Sequence, residues 1–478
     1  MGAGQKWKRR VNRRDALRIG TTALASSLML SAQQSGGRKK KVIVIGGGLA
    51  GLSCSYELMK RGHEVIVLEA TGRTGGHVRT MHDPLADGLY ADIGAEHFYY
   101  PGYTAYWRYL HEFDLTPIPY PRREHMVRFF GGKLVTEEDL RSREFLSRLG
   151  FNPREIDFLN DHPWPELPLL YLQRYVDRIE KETDPFATGL NALDETTVSD
   201  LLKREGASPA ALGHFGGSGS ALGWIWGAAV KKLRGTQLVA TRLYRIQGGN
   251  QRMTDAFAAR LGERIHLGCP VTAIHYDPAG VTVTCREFGR ERKIDADHLV
   301  SCISLVVLRR IPVTPAWPEA KNFVIQNMAY YTRARVVFQS RTRFWKTDGV
   351  SPNWEPPGPH LNELWSIAEE VNTPRGILIG GAEPGSTPEA SLAAFHKLYP
   401  GKSADIEQAL IHNWGADPYA GMCERIGYPL GQLSKFWPEV TRPLGRVHFA
   451  GAYAAQMSWG QEAALESGNR AAEEIDQA

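Results

Sequence analysis

Gly46, Gly48 and Gly51 stand at the spacing G-x-G-x-x-G, between the run Val42-Ile43-Val44-Ile45 and a helical segment from Leu52 to Arg61. Residues of that type at that spacing bind a dinucleotide. Gly46 permits the tight turn, Gly48 lets the backbone reach a pyrophosphate at the helix N-terminus, and Gly51 lets helix and strand approach. A second strand, Glu64 to Leu68, ends at Glu69, about twenty residues further on, where a carboxylate accepts hydrogen bonds from a ribose. The uninterrupted β-branched run calls for a strand buried on both faces, so these pieces form one βαβ unit.

The chain continues Glu69-Ala70-Thr71-Gly72-Arg73-Thr74-Gly75-Gly76. An arginine and a flexible glycine pair beside a phosphate-binding helix suit a long dinucleotide whose diphosphate must be neutralised. The pattern E-A-x-x-R-x-G-G resembles that of the flavin-containing amine oxidoreductases: monoamine and polyamine oxidases, L-amino acid oxidases and, more distantly, phytoene desaturases and protoporphyrinogen oxidases. The resemblance covers most of the chain after residue 40. It takes in Gly248-Gly249-Asn250 with the helix Met253 to Leu261, the strand pair Val271 to Tyr276 and Val281 to Cys285, Asp297 to Cys302, Gly445 to Gly451, and Ser467 to Ala472.

What this resemblance implies is an α/β fold in which a discontinuous Rossmann-like FAD-binding domain (38–94, 241–309 and 411–478) is interleaved with an α+β substrate domain (95–240 and 310–410). The implied cofactor is FAD. Its implied cradle is Gly46, Gly48, Ala50, Gly51, Glu69, Ala70, Arg73, Gly76, His77, Gly94, Ala95, Val271, Gly451, Ala452, Glu462 and Ala463. The implied reaction is oxidation of an amine C–N bond by hydride transfer to flavin N5. It gives an imine, then an aldehyde or ketone and ammonia, and O2 or another acceptor reoxidises the flavin.

Departures from the family pattern fall where specificity would be set. Many relatives carry a Lys ten residues before a Phe-Trp pair; Phe344-Trp345 is present and the matching residue is Arg335. A guanidinium stabilises negative charge but does not give up its proton. It is read either as facing the flavin or as a salt-bridged strand residue. The carboxylate-clamping Arg of amino acid oxidases is replaced by His97, read as a substrate or flavin contact or as a structural His. The aromatic cage of monoamine oxidases is replaced by Glu424 on one side and by Gly460, beside Trp459, on the other. Glu424 would pair with a second ammonium if it faces the cavity, and is a solvated loop acid otherwise. Cys423 matches the cysteine that bonds covalently to flavin in monoamine oxidases, and His77 and Ala452 each replace a polar cofactor contact.

The 57 Lys and Arg exceed the 52 Asp and Glu, but eleven of the basic residues lie in the first 41, beside one acid, Asp15. The remainder is acidic, which argues against a nucleic-acid-binding body. That leader runs from basic Lys6–Arg18, through an apolar stretch from Ile19 to Ala32, to a polar break ending at residue 37. With Arg13-Arg14 it resembles a twin-arginine export signal, which implies a periplasmic or extracellular enzyme. A basic N-terminal helix that stays on the protein is the other reading. Five cysteines without zinc spacing indicate neither a metal site nor a disulfide framework. The expected partners are a small-molecule amine and an electron acceptor, with no nucleic acid and no spanning helix in the body; a homodimer is open. Beside the amine reading stand an L-amino acid oxidase, a desaturase of a nonpolar substrate and a non-catalytic flavin-binding subunit.

Overall fold

The β-branched run forms β1 (Lys41–Ile45), whose side chains from Val42 onward are buried. The computed structural model describes residues 38–240, 242–420, 422, 424–425, 427–456 and 460–478. β1 leads through Gly46 into α1 (Leu49–Lys60) and back to β2 (Glu64–Leu68). The helix starts three residues earlier than the sequence suggests, because Gly48 is already its extended N-cap, with no side chain to close the first turn. Five parallel strands make the sheet, in the order Ile265–His266, β2, β1, His298–Ser301 and Val447–Phe449. Parallel strands need covered faces, which explains why β1 and the buried His298–Ser301 lack polar alternation.

Helix α2 (Thr104–Glu112) packs its aromatic face on α1 and on the helix Gln251–Leu261. Tyr56 of α1, Tyr109 and Phe113 meet Phe257, with ring centroids 4.7 Å apart for both Tyr109–Phe257 and Phe113–Phe257. That cluster fixes where the N-terminus of α2 points.

A second sheet of seven strands runs in the order Ile406–Asn413, β3 (Ala334–Ser340), Gly376–Ala382, β4 (Glu363–Ile367), Trp354–Glu355, Val127–Phe130 and Lys133–Val135. Its register matters for chemistry. Arg335 lies opposite Gly381 on one side and His412 on the other, and Glu363 lies opposite Gly381 from the far strand. Directly paired residues share a face, so Arg335 and Glu363 look at each other across a position without a side chain. A Cβ at Gly381 would stand 2.6 Å from Glu363 Oε1.

The parallel sheet draws its strands from 41–68, 265–301 and 447–449, and the seven-stranded sheet from 127–135 and 334–413. The boundary expected after residue 410 falls inside the strand Ile406–Asn413. The Trp/Gly-rich run Ala221–Leu233 forms a largely buried helix. The chain closes with α3 (Gly460–Gln477). No helix among the described residues is long and apolar enough to cross a membrane.

Candidate functional site

The G-x-G-x-x-G turn opens onto a cleft with about 1180 Å³ of empty space, lined among others by Gly46, Gly48, Ala50, Glu69, Arg73, Gly76, His77, Ala95, Gly451 and Ala452. Three features fit it to a dinucleotide. First, a Cβ on Gly48 would have nothing nearer than 4.0 Å, so the uncapped end of α1 faces open space, whereas one on Gly51 would lie 1.9 Å from the Gly46 carbonyl oxygen. Second, Glu69 is anchored by the N–H groups of Gly47 (2.7 Å, to Oε2) and Thr71 (2.8 Å, to Oε1), which leaves Oε2 an acceptor site for a ribose hydroxyl. Third, Arg73 donates to the carbonyls of Thr74 (3.1 Å) and Gly76 (2.8 Å) but makes no carboxylate ion pair among the described residues. Burial and neighbouring Arg79 push its pKa down, the signature of a cation that lacks a counter-ion. Ala70 and Val271 line an adjoining hollow that shares Gly46 and Glu69 with the cleft.

Two expected cradle residues lie elsewhere. Glu462 is buried with its carboxylate on the N-terminus of α2, accepting the N–H groups of Ala105 (2.6 Å) and Tyr106 (2.8 Å), and Ala463 is in the core. The residues of α3 that reach the cleft are Gly460, Gln461 and Ala464. At about 100° per residue, a cleft face through 460, 461 and 464 leaves 462 and 463 turned away.

Burial and Glu466 raise the Glu462 carboxyl to about 7. The folded state therefore holds this proton over a range where the unfolded chain has lost it. Stability from the group is complete below the ordinary carboxylate range and is lost as pH rises through about 7. Urea unfolding between about pH 5 and pH 8 should show wild type losing stability relative to Glu462→Gln as pH rises; a pH-independent difference would contradict this role.

A second cavity, with about 920 Å³ of empty space, shares His77, Ala95, Gly460 and Gln461 with the first. Gly94, Glu96, His97, Arg122, Arg123, Tyr331, Arg333, Arg335 and Trp414 also line it. Arg335 is neither on the first cleft nor on the outer surface. It donates to Glu363 Oε1 at 2.9 Å, lies 3.6 Å from Glu96 Oε1, and sits 5.2 Å over the Trp365 ring. Arg122 bridges Glu96 and Glu363 and stacks 3.8 Å over Trp365; Arg333 also binds Glu363. Burial alone would raise both carboxyls, yet Arg122 and Arg335 outweigh it and hold each below its usual range, so both are anionic. Burial pushes His97 down and holds His77, 4.8 Å from the Trp414 ring, at about 4, so both imidazoles are neutral near pH 7. His97 Nδ1 is 3.6 Å from Glu96 Oε1, beyond hydrogen-bond distance.

The arginine–glutamate wall escapes sequence reading because its members lie far apart in the chain and meet only through strand register. In the first cleft the same holds for Tyr330, Asp417, Tyr419 and Tyr453. Glu424 lies on a short strand paired with Tyr330–Tyr331. Cys423, Trp459 and the leader 1–37 lie outside the described residues.

The sequence pattern of the flavin containing amine oxidoreductases matches residues 49–476. L-amino-acid oxidases of Demansia vestigiata and Bothrops atrox are 25% and 24% identical, over 90% of this chain and 86% and 87% of theirs. Among solved structures, cyclohexylamine oxidase from Brevibacterium oxydans superposes with a TM-score of 0.73 at 22% identity, covering 92% of this chain and 99% of that one. Putrescine oxidase bound to putrescine superposes at 0.67 and 20% identity, covering 92% and 100%. Family pattern, parallel sheet and the cleft at the glycine turn coincide: the chain belongs to the flavin-containing amine oxidoreductase family.

Proposed function

We propose that the protein is an FAD-dependent amine oxidase or dehydrogenase that oxidises a substrate C–N bond. The observation that carries this reading is the shared wall. His77, Ala95, Gly460 and Gln461 line both the dinucleotide cleft and the adjoining cavity, so a substrate in the second abuts what the first holds. Gly48 and Arg73 would hold the diphosphate and Glu69 a ribose. Flavin bound there would supply the two-electron acceptor for the hydride leaving the carbon next to nitrogen, and water would hydrolyse the imine product. The neutral imidazoles of His77 and His97 add no positive charge against a bound amine.

A desaturase of nonpolar substrates fits poorly, because four arginines and a glutamate line the second cavity. The division into an FAD-binding and a substrate domain, and export through the twin-arginine-like leader, belong to the same proposal.

The test is to release the cofactor from purified protein by acid, identify it by mass, and assay ammonia formed from amines. FAD in the supernatant together with ammonia release is expected. FMN, or holoprotein that forms no ammonia from any amine, would overturn the reading; a yellow acid precipitate would instead indicate covalent attachment, with Cys423 the first residue to replace.

A further inference from the structure

The two cavities meet at the first residue of α3. Gly460 lines both of them, and Tyr103 lines the second. Gly460 adopts φ +84°, in the region that favours glycine; a Cβ there would run into the Tyr103 hydroxyl and stand 3.4 Å from its ring carbon Cζ. The phenol of Tyr103 therefore covers the place a side chain at 460 would take. It arrives there from a different element, as the N-cap residue of α2.

Its position is fixed from several sides. Tyr103 is buried in the aromatic core, with its ring centroid 4.3 Å from that of Tyr99 and 6.1 Å from that of Tyr106. Glu462, two residues beyond Gly460, accepts the N–H groups of Ala105 and Tyr106, so one carboxylate clamps the first turn of the helix that Tyr103 caps to the first turn of α3. Gln461, between Gly460 and Glu462, donates from Nε2 to the His97 carbonyl at 3.1 Å and ties α3 to the 94–97 segment that lines the same cavity. Swinging the ring aside would leave a void in a close-packed cluster, so it acts as a wall and not as a gate.

Resting on the amine-oxidation reading, we propose that Tyr103 is a specificity-determining residue. Its ring forms a fixed wall where the substrate cavity meets the cofactor cleft, and it limits the bulk of the group carried on the reacting carbon. In a packed pocket a single methylene changes discrimination about 10- to 200-fold, so removal of a whole ring is a large perturbation.

Anaerobic stopped-flow bleaching of the holoenzyme tests this with two series graded in bulk at the carbon that bears nitrogen: propylamine, cyclohexylamine and 1-phenylethylamine, and L-alanine, L-leucine and L-phenylalanine. The readout is the reduction rate constant over Kd, as a ratio of the bulkiest to the smallest member. Tyr103→Ala should raise that ratio about tenfold or more, including the gain of a compound that wild type does not oxidise. Tyr103→Phe, which keeps the ring, should hold the wild-type ratio within about threefold, and Tyr103→Leu should shift it in the same sense as Ala by a smaller factor. Urea unfolding of the flavin-free forms supplies a measurement that needs no turnover: Gly460→Ala should cost less stability in the Tyr103→Ala background than in wild type, because the group its methyl meets is gone. Additive costs, or bulk ratios unchanged in both the Ala and Leu variants, would overturn the role of Tyr103 while amine oxidation stands. If no amine or amino acid bleaches the flavin, both readings fall.

Discussion

Gly51→Ala is expected to yield protein with less than about a tenth of the wild-type flavin content and a stability loss of about 3 kcal/mol or more. The position leaves no room: the new methyl would stand 1.9 Å from the Gly46 carbonyl oxygen and 3.3 Å from Val44 Cγ1. Helix α1 would have to lift off β1, and its N-terminal N–H groups would no longer line up with the turn that, on the proposed function, would hold the diphosphate. Loss of the cofactor compounds the damage, because a ligand that binds only the folded state stabilises it by mass action. Gly48→Ala separates the two effects. Its backbone is extended (φ −79°, ψ −179°) and its nearest neighbour would be 4.0 Å away, so the fold tolerates the methyl, which enters the space meant for the ligand. Flavin absorbance relative to protein absorbance, read beside urea unfolding of the flavin-free forms, should show Gly51→Ala deficient in both and Gly48→Ala deficient in flavin alone. Normal flavin content in Gly51→Ala would contradict the assigned geometry.

Glu363→Ala should be the most damaging single change in the second cavity, at about 3 kcal/mol, the lower end of the range for breaking a buried ion pair because this cavity admits water. Its carboxylate is the common partner of Arg122, Arg333 and Arg335; Glu96, which pairs with Arg122 and lies near Arg335, does not reach Arg333 among the described ion pairs. The sign of the pH dependence follows from the depressed carboxyl. Its contribution is present above the ordinary carboxylate range and lost as pH falls through the folded value, so wild type and variant should converge in strong acid. Pairing Glu363→Ala with Arg335→Met measures the coupling: the double variant should lose less than the sum of the singles, because the orphaned cation has been removed with its partner. Simple additivity would mean that the two side chains do not act as a pair.

The dinucleotide unit was legible in the sequence because its cause is local. A β-branched run, three glycines at fixed offsets and Glu69 lie within one stretch of chain, and their geometry follows from it. At the far end of the cleft the sequence pattern points to Glu462 and Ala463, but helical phase turns those two away and brings Gln461 and Ala464 in. Arg335 is visible as a departure, yet Arg333, Arg341 and Arg343 crowd the same stretch and spacing alone does not sort them. Register across Gly381, a residue with no chemistry of its own, decides which of them meets Glu363 and Glu96. Arg122 and Arg123 belong to a separate loop that no local signal connects to that strand.

On the proposed function, carbon–hydrogen cleavage next to an amine nitrogen reduces the bound flavin. Anaerobic stopped-flow bleaching with a substrate carrying hydrogen or deuterium on that carbon tests it most directly. Monophasic loss of the oxidised flavin band is expected, at a rate several-fold lower for the deuterated compound; no bleaching by any amine or amino acid, or bleaching that requires no hydrogen on that carbon, would rule out amine oxidation by this protein.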